Sequence, residues 1–386
     1  MNWPQAILLV MFAALGCASI LYALLALLYV QQWMKDVPPE IADAPLPPLT
    51  LLRPLKVGVP ALRGKLEALA RAMRPGDQLV LGVDEGADEM RVCAELRAAF
   101  PDREIIVVSC RTGAALNPKI SKLVQMAPHA RHAHWILSDS EALIDAAWLN
   151  AFRCEWLASG TDALTAGYRF VNLATWPQRL DAAAALCGLW PGLAMVRRFG
   201  RANFTLGACT GIRRADVESV GGWAAFGDFL AEDNRLGAAL AKAGRTIRLS
   251  SQVATLDSDP LTWRDCWRHQ RRVAVTYRVS NPAGFAGMIF TNGLLAGGLL
   301  IALAPAGEAP AGLWLVVAVA IQLTRWGCFR ASVKVLRFSI PWLFPVMLAA
   351  SAVEIVCWVA AWCDRRVWWA GRRWQVSPAG RLTPVP

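Results

Sequence analysis

Gln78-Leu79-Val80-Leu81-Gly82-Val83, then Glu89 to Phe100, then Glu104-Ile105-Ile106-Val107-Val108 reads as strand, helix and strand, and that reading decides the fold. The outer runs are short and apolar, the second rich in β-branched residues, while the middle run carries apolar side chains at helical spacing. Such alternation predicts an α/β fold, a mainly parallel sheet covered by helices. Working outward, Leu49 to Leu52 reads as a buried strand and Leu62 to Met73 as a helix. His134 to Leu137 reads as a further strand, ending in Ser138-Asp139-Ser140-Glu141. Ligands of open α/β sheets gather at the carboxyl ends of strands, so these acids are well placed for chemistry.

Thr210 to Ala254 holds a second acidic position. A short apolar strand reaches the Gly221-Gly222-Trp223 turn, and Glu232-Asp233 then opens a helix ending near Gly244. A catalytic base would be mounted there, although adjacent acids at a helix start also simply favour its dipole.

The chain has 386 residues, 55% of them hydrophobic, with a mean hydropathy of +0.35. That is too apolar for an ordinary soluble enzyme, and the excess lies at the two ends. Ala6 to Val30 carries no charge and, as a helix, is long enough to cross a hydrocarbon core of roughly 30 Å. It has no basic n-region and no Ala-x-Ala site before the prolines that follow, so it is read as a retained anchor. After Ser280, Phe285 to Ala304, Ala311 to Leu323 and Ile340 to Trp362 are apolar, the last two separated by Arg325, Arg330, Lys334 and Arg337. The expected domains are an anchor (1–34), a Pro-rich spacer (35–48), a catalytic domain (49–260), an interfacial amphipathic helix (261–284), membrane segments (285–364) and a basic, aromatic cytosolic tail (365–386) whose end, from Ser377, is loose. The positive-inside rule puts the catalytic domain in the cytosol, yet a full crossing by the last apolar segment would carry Arg365, Arg366, Arg372 and Arg373 outside. Pro341 and Pro345 permit a broken, re-entrant or interfacial helix instead.

A net charge of +11 resides beside apolar and Trp-rich segments rather than in a soluble stripe, which points to a bilayer and a phosphate-bearing substrate and not to nucleic acid. Ten cysteines without a Cys-x-x-Cys pair indicate reduced thiols, not a zinc site or disulfide framework.

Several stretches in a shared order resemble the ceramide glucosyltransferase group of glycosyltransferases, a GT-A, family 2 type branch that includes bacterial enzymes acting on hopanoid lipids. They are Leu51-Leu52-Arg53-Pro54-Leu55-Lys56, Asn117-Pro118-Lys119-Ile120, Ser138-Asp139-Ser140, Gln252-Val253-Ala254 and Trp369-Ala370-Gly371-Arg372-Arg373-Trp374. The resemblance runs from Thr50 to Arg381 and implies a GT-A, Rossmann-like domain. It implies that Asp84 touches the uracil or ribose of a UDP-sugar and that Lys119 pairs with the diphosphate. Asp139, with Glu141 in the third position of the usual Asp-x-Asp pattern, would face a divalent metal, Mn²⁺ or Mg²⁺. Asp233 is the implied general base, with Glu232 its near rival. His269-Gln270-Arg271-Arg272-Val273 resembles the Gln/Arg-x-x-Arg-Trp signature that closes the donor site: Arg272 holds the arginine position, His269 replaces the first residue and Val273 the tryptophan, for which Trp267 or Tyr277 would compensate.

Each position also has a plain structural use. Asp84 suits a turn, Asp139 and Glu141 a helix N-terminus, Lys119 the surface, and the Arg/Trp pattern from Trp263 to Arg278 a helix at headgroup level. The leading expectation is an inverting transferase of the bacterial inner membrane that moves glucose or N-acetylglucosamine from UDP to a hydroxyl of a ceramide- or hopanoid-type lipid. The alternatives are a processive polysaccharide synthase, which would need more spans, and a catalytically silent lipid-binding scaffold.

Overall fold

The expected alternation is present, with strands β1 (Leu49–Pro54), β2 (Gln78–Asp84), β3 (Glu104–Cys110), β4 (His134–Ser138), β5 (Ala142–Leu143), β6 (Ala163–Thr165), β7 (Tyr168–Val171), β8 (Cys209–Arg213), β9 (Ile247–Leu249), β10 (Ala254–Asp257), β11 (Arg366–Trp369), β12 (Arg372–Val376) and β13 (Leu382–Pro384). The computed structural model describes residues 3–36, 46–259, 261–303, 311–340 and 343–385.

The main sheet runs β3-β2-β1-β4-β8-β6-β9, with β3, β2, β1 and β4 mutually parallel and β8 antiparallel to both neighbours. Every residue of β1 is buried, as a central strand covered on both faces requires. Alternate residues serve opposite layers. Leu49, Leu51, Leu79 and Leu81 pack with Leu66, Leu69, Phe152 and Trp156, whereas Leu52 and Val80 pack with Ile120, Leu123 and Trp135. Because the chain leaves β1 for β2 on one side and β4 lies on the other, their carboxyl ends flank a switch point of the sheet.

Helix Glu232–Lys242 lies close against the segment leading to β8. A side chain at Gly237 would meet the Phe204 Cα at 2.2 Å, so the two backbones touch only because residue 237 has none. The Thr205 hydroxyl donates to the Asp233 carbonyl at 2.8 Å and fixes the first turn of that helix.

Among the described residues, three helices are long and apolar enough to cross a membrane: Ile7–Trp33, Gly312–Leu336 and Phe344–Cys363. A fourth apolar unit is bent by 52° between Pro282–Thr291 and Gly293–Ala302, so the run expected from Phe285 is not one straight helix. Nor do Arg325, Arg330 and Lys334 interrupt a span, because Ala311–Leu336 is a single helix that carries them in its second half. Helices Trp3–Trp33, Gly293–Leu303 and Ala311–Leu336 pack on one another through Leu9, Leu300 and Ile321, with Gly16 lying so close that a side chain there would meet Ile321 at 2.4 Å. Small residues permit such approach where apolar burial gives helices little reason to associate.

The spacer expected at 35–48 falls mostly on 37–45, outside the described residues. The anchor nevertheless does not swing free, because its end is docked. Trp33 is buried, donates from Nε1 to the Ser250 carbonyl at 2.9 Å, and packs with Leu173, Trp190 and Leu249 of the α/β domain.

One further expectation is corrected. The end of the chain is not loose: β11, β12 and β13 form an antiparallel sheet, and the Leu230 N–H and Leu382 N–H bond the Gly380 and Asp228 carbonyls at 3.1 and 2.7 Å. Trp374 is buried beneath this sheet with Val376 and Leu382, so Arg372-Arg373-Trp374 builds a brace. Helix Leu343–Cys363 also stays on the α/β domain from end to end. Val346, Met347 and Ala350 pack with Leu180 and Trp190, while Cys357 and Ala361 pack with Leu230, Val275 and Trp374. Its last turn accepts from Arg278 at the Trp362 carbonyl (3.3 Å), and Arg271 bonds the Asp364 carbonyl (3.2 Å).

Candidate active site

Asp84 and Asp139 sit at the carboxyl ends of β2 and β4, on either side of β1. Both meet lysines from one helix, Pro118–Met126, whose start is fixed by Asn117. The Asn117 side-chain oxygen accepts from the Lys119 and Ile120 N–H groups, and its amide donates to the Phe229 carbonyl (3.0 Å) and Glu232 Oε2 (2.9 Å). Lys119 and Lys122 are one turn apart and share a face. Lys119 Nζ lies 2.7 Å from Asp139 and 3.3 Å from Glu232, and Lys122 Nζ lies 2.7 Å from Asp84.

Gly207 marks the centre of the cluster. A β-carbon there would sit 3.2 Å from Asp139 Oδ2, 3.2 Å from Lys119 Nζ and 3.4 Å from Asp233 Oδ2. Three charged side chains from a strand end and two helix starts thus converge on one bare backbone position. Burial pushes the Asp233 carboxyl up to about 7, reinforced by the charge of Glu232 and opposed by Lys119. Burial also raises Asp139, against the pull of Lys119. Burial disfavours the Lys119 charge, but Asp139, Glu232 and Asp233 outweigh it and keep Lys119 firmly protonated.

Glu232 and Asp233 have different freedom. Both oxygens of Glu232 are engaged, one by Asn117 and the other by Lys119. Asp233 accepts at Oδ1 from the Asn234 N–H at 2.7 Å, and Oδ2 is left toward Gly207.

Glu141 stands apart from Asp139 in its partner. Its Oε1 lies 3.3 Å from Lys56, which also pairs with Asp259, and the Ser140 hydroxyl donates to its Oε2 at 2.9 Å. Burial alone would raise Glu141; Lys56 and Ser140 outweigh it and hold the carboxyl below its ordinary value. The turn bearing both acids is held from beneath by buried Arg53, which donates to the Ser140 carbonyl at 2.8 Å and to that of Ala142. Among the described residues, no group of three His, Cys, Asp or Glu side chains is arranged to hold a metal. Two oxygen donors beside a lysine instead fit an ion completed by a ligand's phosphates, the usual way Mg²⁺ is held.

His269 is not brought to this cluster. Its Nδ1 lies 2.6 Å from Asp181, which also accepts from Gln270 Nε2 at 2.7 Å. Burial would raise Asp181, but His269 and the two hydrogen bonds hold it below its usual range. Arg272 has no ion pair or hydrogen bond among the described residues, although its charge acts on Asp181 and Tyr168. Both His269 and Asp181 line a largely apolar cavity, together with Tyr168, Tyr277, Glu354 and Trp358. Two of these lining residues, Tyr168 and Tyr277, feel the charge of the acidic cluster. Burial raises both phenols, and the charge of Asp233 raises each further.

Sequence reasoning misses Gly207, Lys122 and Glu354. Lys122 was legible three residues after Lys119, and a lone acid inside an apolar run was a signal for Glu354; nothing local marks Gly207.

A mainly parallel sheet with acids and lysines gathered on its carboxyl edge defines the GT-A type of glycosyltransferase domain. The chain belongs to glycosyl transferase family 21, whose profile matches residues 9–382. Among solved structures it is similar to the mannosyltransferase PcManGT from Pyrobaculum calidifontis, solved in complex with GDP-Man and Mn²⁺, at 19% identity and a TM-score of 0.57 over 91% of this chain and 99% of that one. S. aureus TarS 1–349, solved in complex with UDP-GlcNAc, overlaps more loosely, at 14% identity and a TM-score of 0.39 over 87% of this chain and 99% of that one.

Proposed function

We propose that this glycosyltransferase moves a sugar, glucose or N-acetylglucosamine, from a UDP donor to a hydroxyl of a membrane lipid with inversion. The convergence of Asp139, Lys119 and Asp233 on Gly207 carries this reading. The donor lies over the carboxyl ends of β2 and β4, with Asp84 toward the nucleoside and Lys119 toward the diphosphate. A divalent ion held by Asp139 and Glu141, with the donor phosphates, would neutralise charge on the leaving nucleotide. Asp233 takes the proton of the acceptor hydroxyl while that oxygen bonds to the anomeric carbon and the bond to the diphosphate breaks. The cavity beyond Tyr168 and Tyr277 receives the lipid, and Arg272, free of protein partners among the described residues, faces the reacting groups. His269 moves in this reading from the donor to the acceptor wall, where Asp181 holds it.

Membranes containing the protein are incubated with labelled UDP-glucose or UDP-N-acetylglucosamine and with ceramide, hopanoid or diacylglycerol acceptors. One labelled monoglycosyl lipid is expected. A labelled polymer, or no labelled lipid from any pair, sinks the reading.

The pH profile follows from Asp233. A base must be ionised to act, so the rate should rise about tenfold per pH unit below about 7 and level above it. Glu232→Gln removes a charge that raises Asp233 and should move the midpoint to lower pH, in the direction Lys119 already pulls and against the remaining influence of Asp139. A profile flat from pH 5 to 8 would remove Asp233 from this role. The same shift acts on stability. A carboxyl that keeps its proton longer when folded makes the folded state lose stability as pH rises from the ordinary carboxylate range to about 7.

The membrane path is part of the proposal. Helix Trp3–Trp33 crosses, the bent unit Pro282–Thr291 with Gly293–Ala302 crosses and Ala311–Leu336 returns, and Leu343–Cys363 lies along the domain at the cytoplasmic surface. The support is that this last helix meets the α/β domain at both ends, which keeps Arg365, Arg366, Arg372 and Arg373 on the domain's side. Green fluorescent protein fused after Pro386 should fluoresce and alkaline phosphatase fused there should stay inactive. An active phosphatase would place the C terminus across the membrane.

A further inference from the structure

Glu354 is a carboxylate in the middle of an apolar helix, and the reaction as described makes no use of it. An ionisable group at such a place is costly and marks a functional position unless a partner accounts for it. The charge of Arg325 acts on Glu354, but only one of its two oxygens is hydrogen-bonded among the described residues. Its Oε2 accepts from Asn292 Nδ2 at 2.8 Å, while Oε1 has no hydrogen-bond partner among the described residues and borders the cavity.

The surroundings hold that free oxygen in place. Asn292 stands at the break between the two bent helix halves. Its side-chain oxygen accepts from the Leu294 and Leu295 N–H groups, and its amide also reaches the Ser351 carbonyl at 3.1 Å, so it cannot turn away from Glu354. Across the cavity, residues Ala185–Leu189 form a π-helical turn, a distortion that recurs at functional sites. Gly188 of that turn is the neighbour of the free oxygen, since a β-carbon there would lie 4.0 Å from Glu354 Oε1. Asp181, the other acid of the cavity, takes two hydrogen bonds at Oδ1, from His269 and Gln270, and the imidazole engages its charge. Glu354 has no such side-chain pair on its free oxygen among the described residues, and so offers this wall a carboxylate oxygen fixed in place by Asn292.

We propose that Glu354 is an acceptor-specificity residue: it accepts a hydrogen bond from a second N–H or O–H that the lipid carries besides the hydroxyl receiving the sugar. The assignment rests on the acceptor-cavity reading above. It selects lipids whose polar end bears two donors over simple long-chain alcohols.

The test compares three acceptors, a long-chain primary alcohol, the corresponding vicinal diol and the corresponding acylamino alcohol, on wild-type protein, Glu354→Gln and Glu354→Leu in detergent-lipid micelles. Wild type should show a KM for the diol or acylamino alcohol at least tenfold below that for the simple alcohol. Glu354→Leu should erase that preference by raising only the two-donor KM, and Glu354→Gln, whose amide oxygen still accepts, should fall between. The donor KM and acceptor-independent hydrolysis of the UDP-sugar should stay within about twofold of wild type, which separates this effect from misfolding. Equal wild-type KM values for alcohol and diol overturn the assignment, as does a Leu variant that weakens all acceptors alike. A wild-type protein that glycosylates none of the three yet hydrolyses donor overturns the lipid-acceptor reading itself, and this assignment with it.

Discussion

Asp233→Asn should slow sugar transfer by about 10²- to 10⁴-fold with the donor KM little changed. The substitution keeps the size of the side chain and leaves the helix start in place, because Thr205 holds residue 233 through its backbone carbonyl and the Asn234 N–H still finds the side-chain oxygen. What disappears is the capacity to take a proton. Glu232→Gln is the informative control. Glu232 is tied to Asn117 and Lys119 and has no free oxygen, so it supports the site without acting as the base. Its removal should cost about tenfold or less in rate, and part of that loss should be recovered at lower pH as the Asp233 carboxyl becomes more acidic. Initial rates of labelled-lipid formation across pH check both variants. If Asp233→Asn keeps more than about a tenth of the wild-type rate while Glu232→Gln does not, the two acids have been assigned the wrong way round.

The strands on which this site stands were legible in sequence because each is a local apolar run. β1, β2, β3 and β4 appear within two residues of where hydrophobic pattern places them. The acids at their carboxyl ends were legible for the same reason, since the end of a buried strand is a position that pattern can find. Partners were not legible. Asp84 meets Lys122, Asp181 meets His269 and Glu141 meets Lys56, pairs separated by 38, 88 and 85 positions, and no local signal records them. His269 illustrates the limit best. Its place in a motif-like string beside Arg272 implied a donor contact but gave no sign of Asp181, to which helix Trp263–Ser280 brings it.

Removal of residues 365–386 should lower the transfer rate at least a hundredfold even though no residue in that segment is assigned a chemical step. The segment reads from sequence as a loose tail because its strands are three to five residues long and rich in Arg, Trp and Pro, without a sustained alternation. Its order comes from a partner about 150 positions away. The backbone of Asp228 to Leu230 pairs with Gly380 to Leu382, Arg381 lies over the Phe229 ring at 4.9 Å, and Arg235 reaches the Ala379 carbonyl. That pairing fixes the approach to Glu232 and Asp233 from one side, as Asn117 fixes it from the other through the Phe229 carbonyl. A shift of about 1 Å in a catalytic group can cost on the order of a hundredfold in rate, so an unclamped approach suffices for the expected loss. Helices Trp3–Trp33 and Ala311–Leu336 and the main sheet are packed without the segment, so the truncated protein should still insert and should still hydrolyse or bind donor. Gly380→Ala gives a graded form of the same experiment. Gly380 has φ +82°, where a side chain is strained, and a β-carbon there would sit 3.0 Å from the Arg235 guanidinium. It should reduce the rate several-fold and make the chain around 226–232 more open to limited proteolysis. A truncated protein that transfers sugar at the wild-type rate would show that the C-terminal sheet only caps the fold and leaves Asp233 where it is.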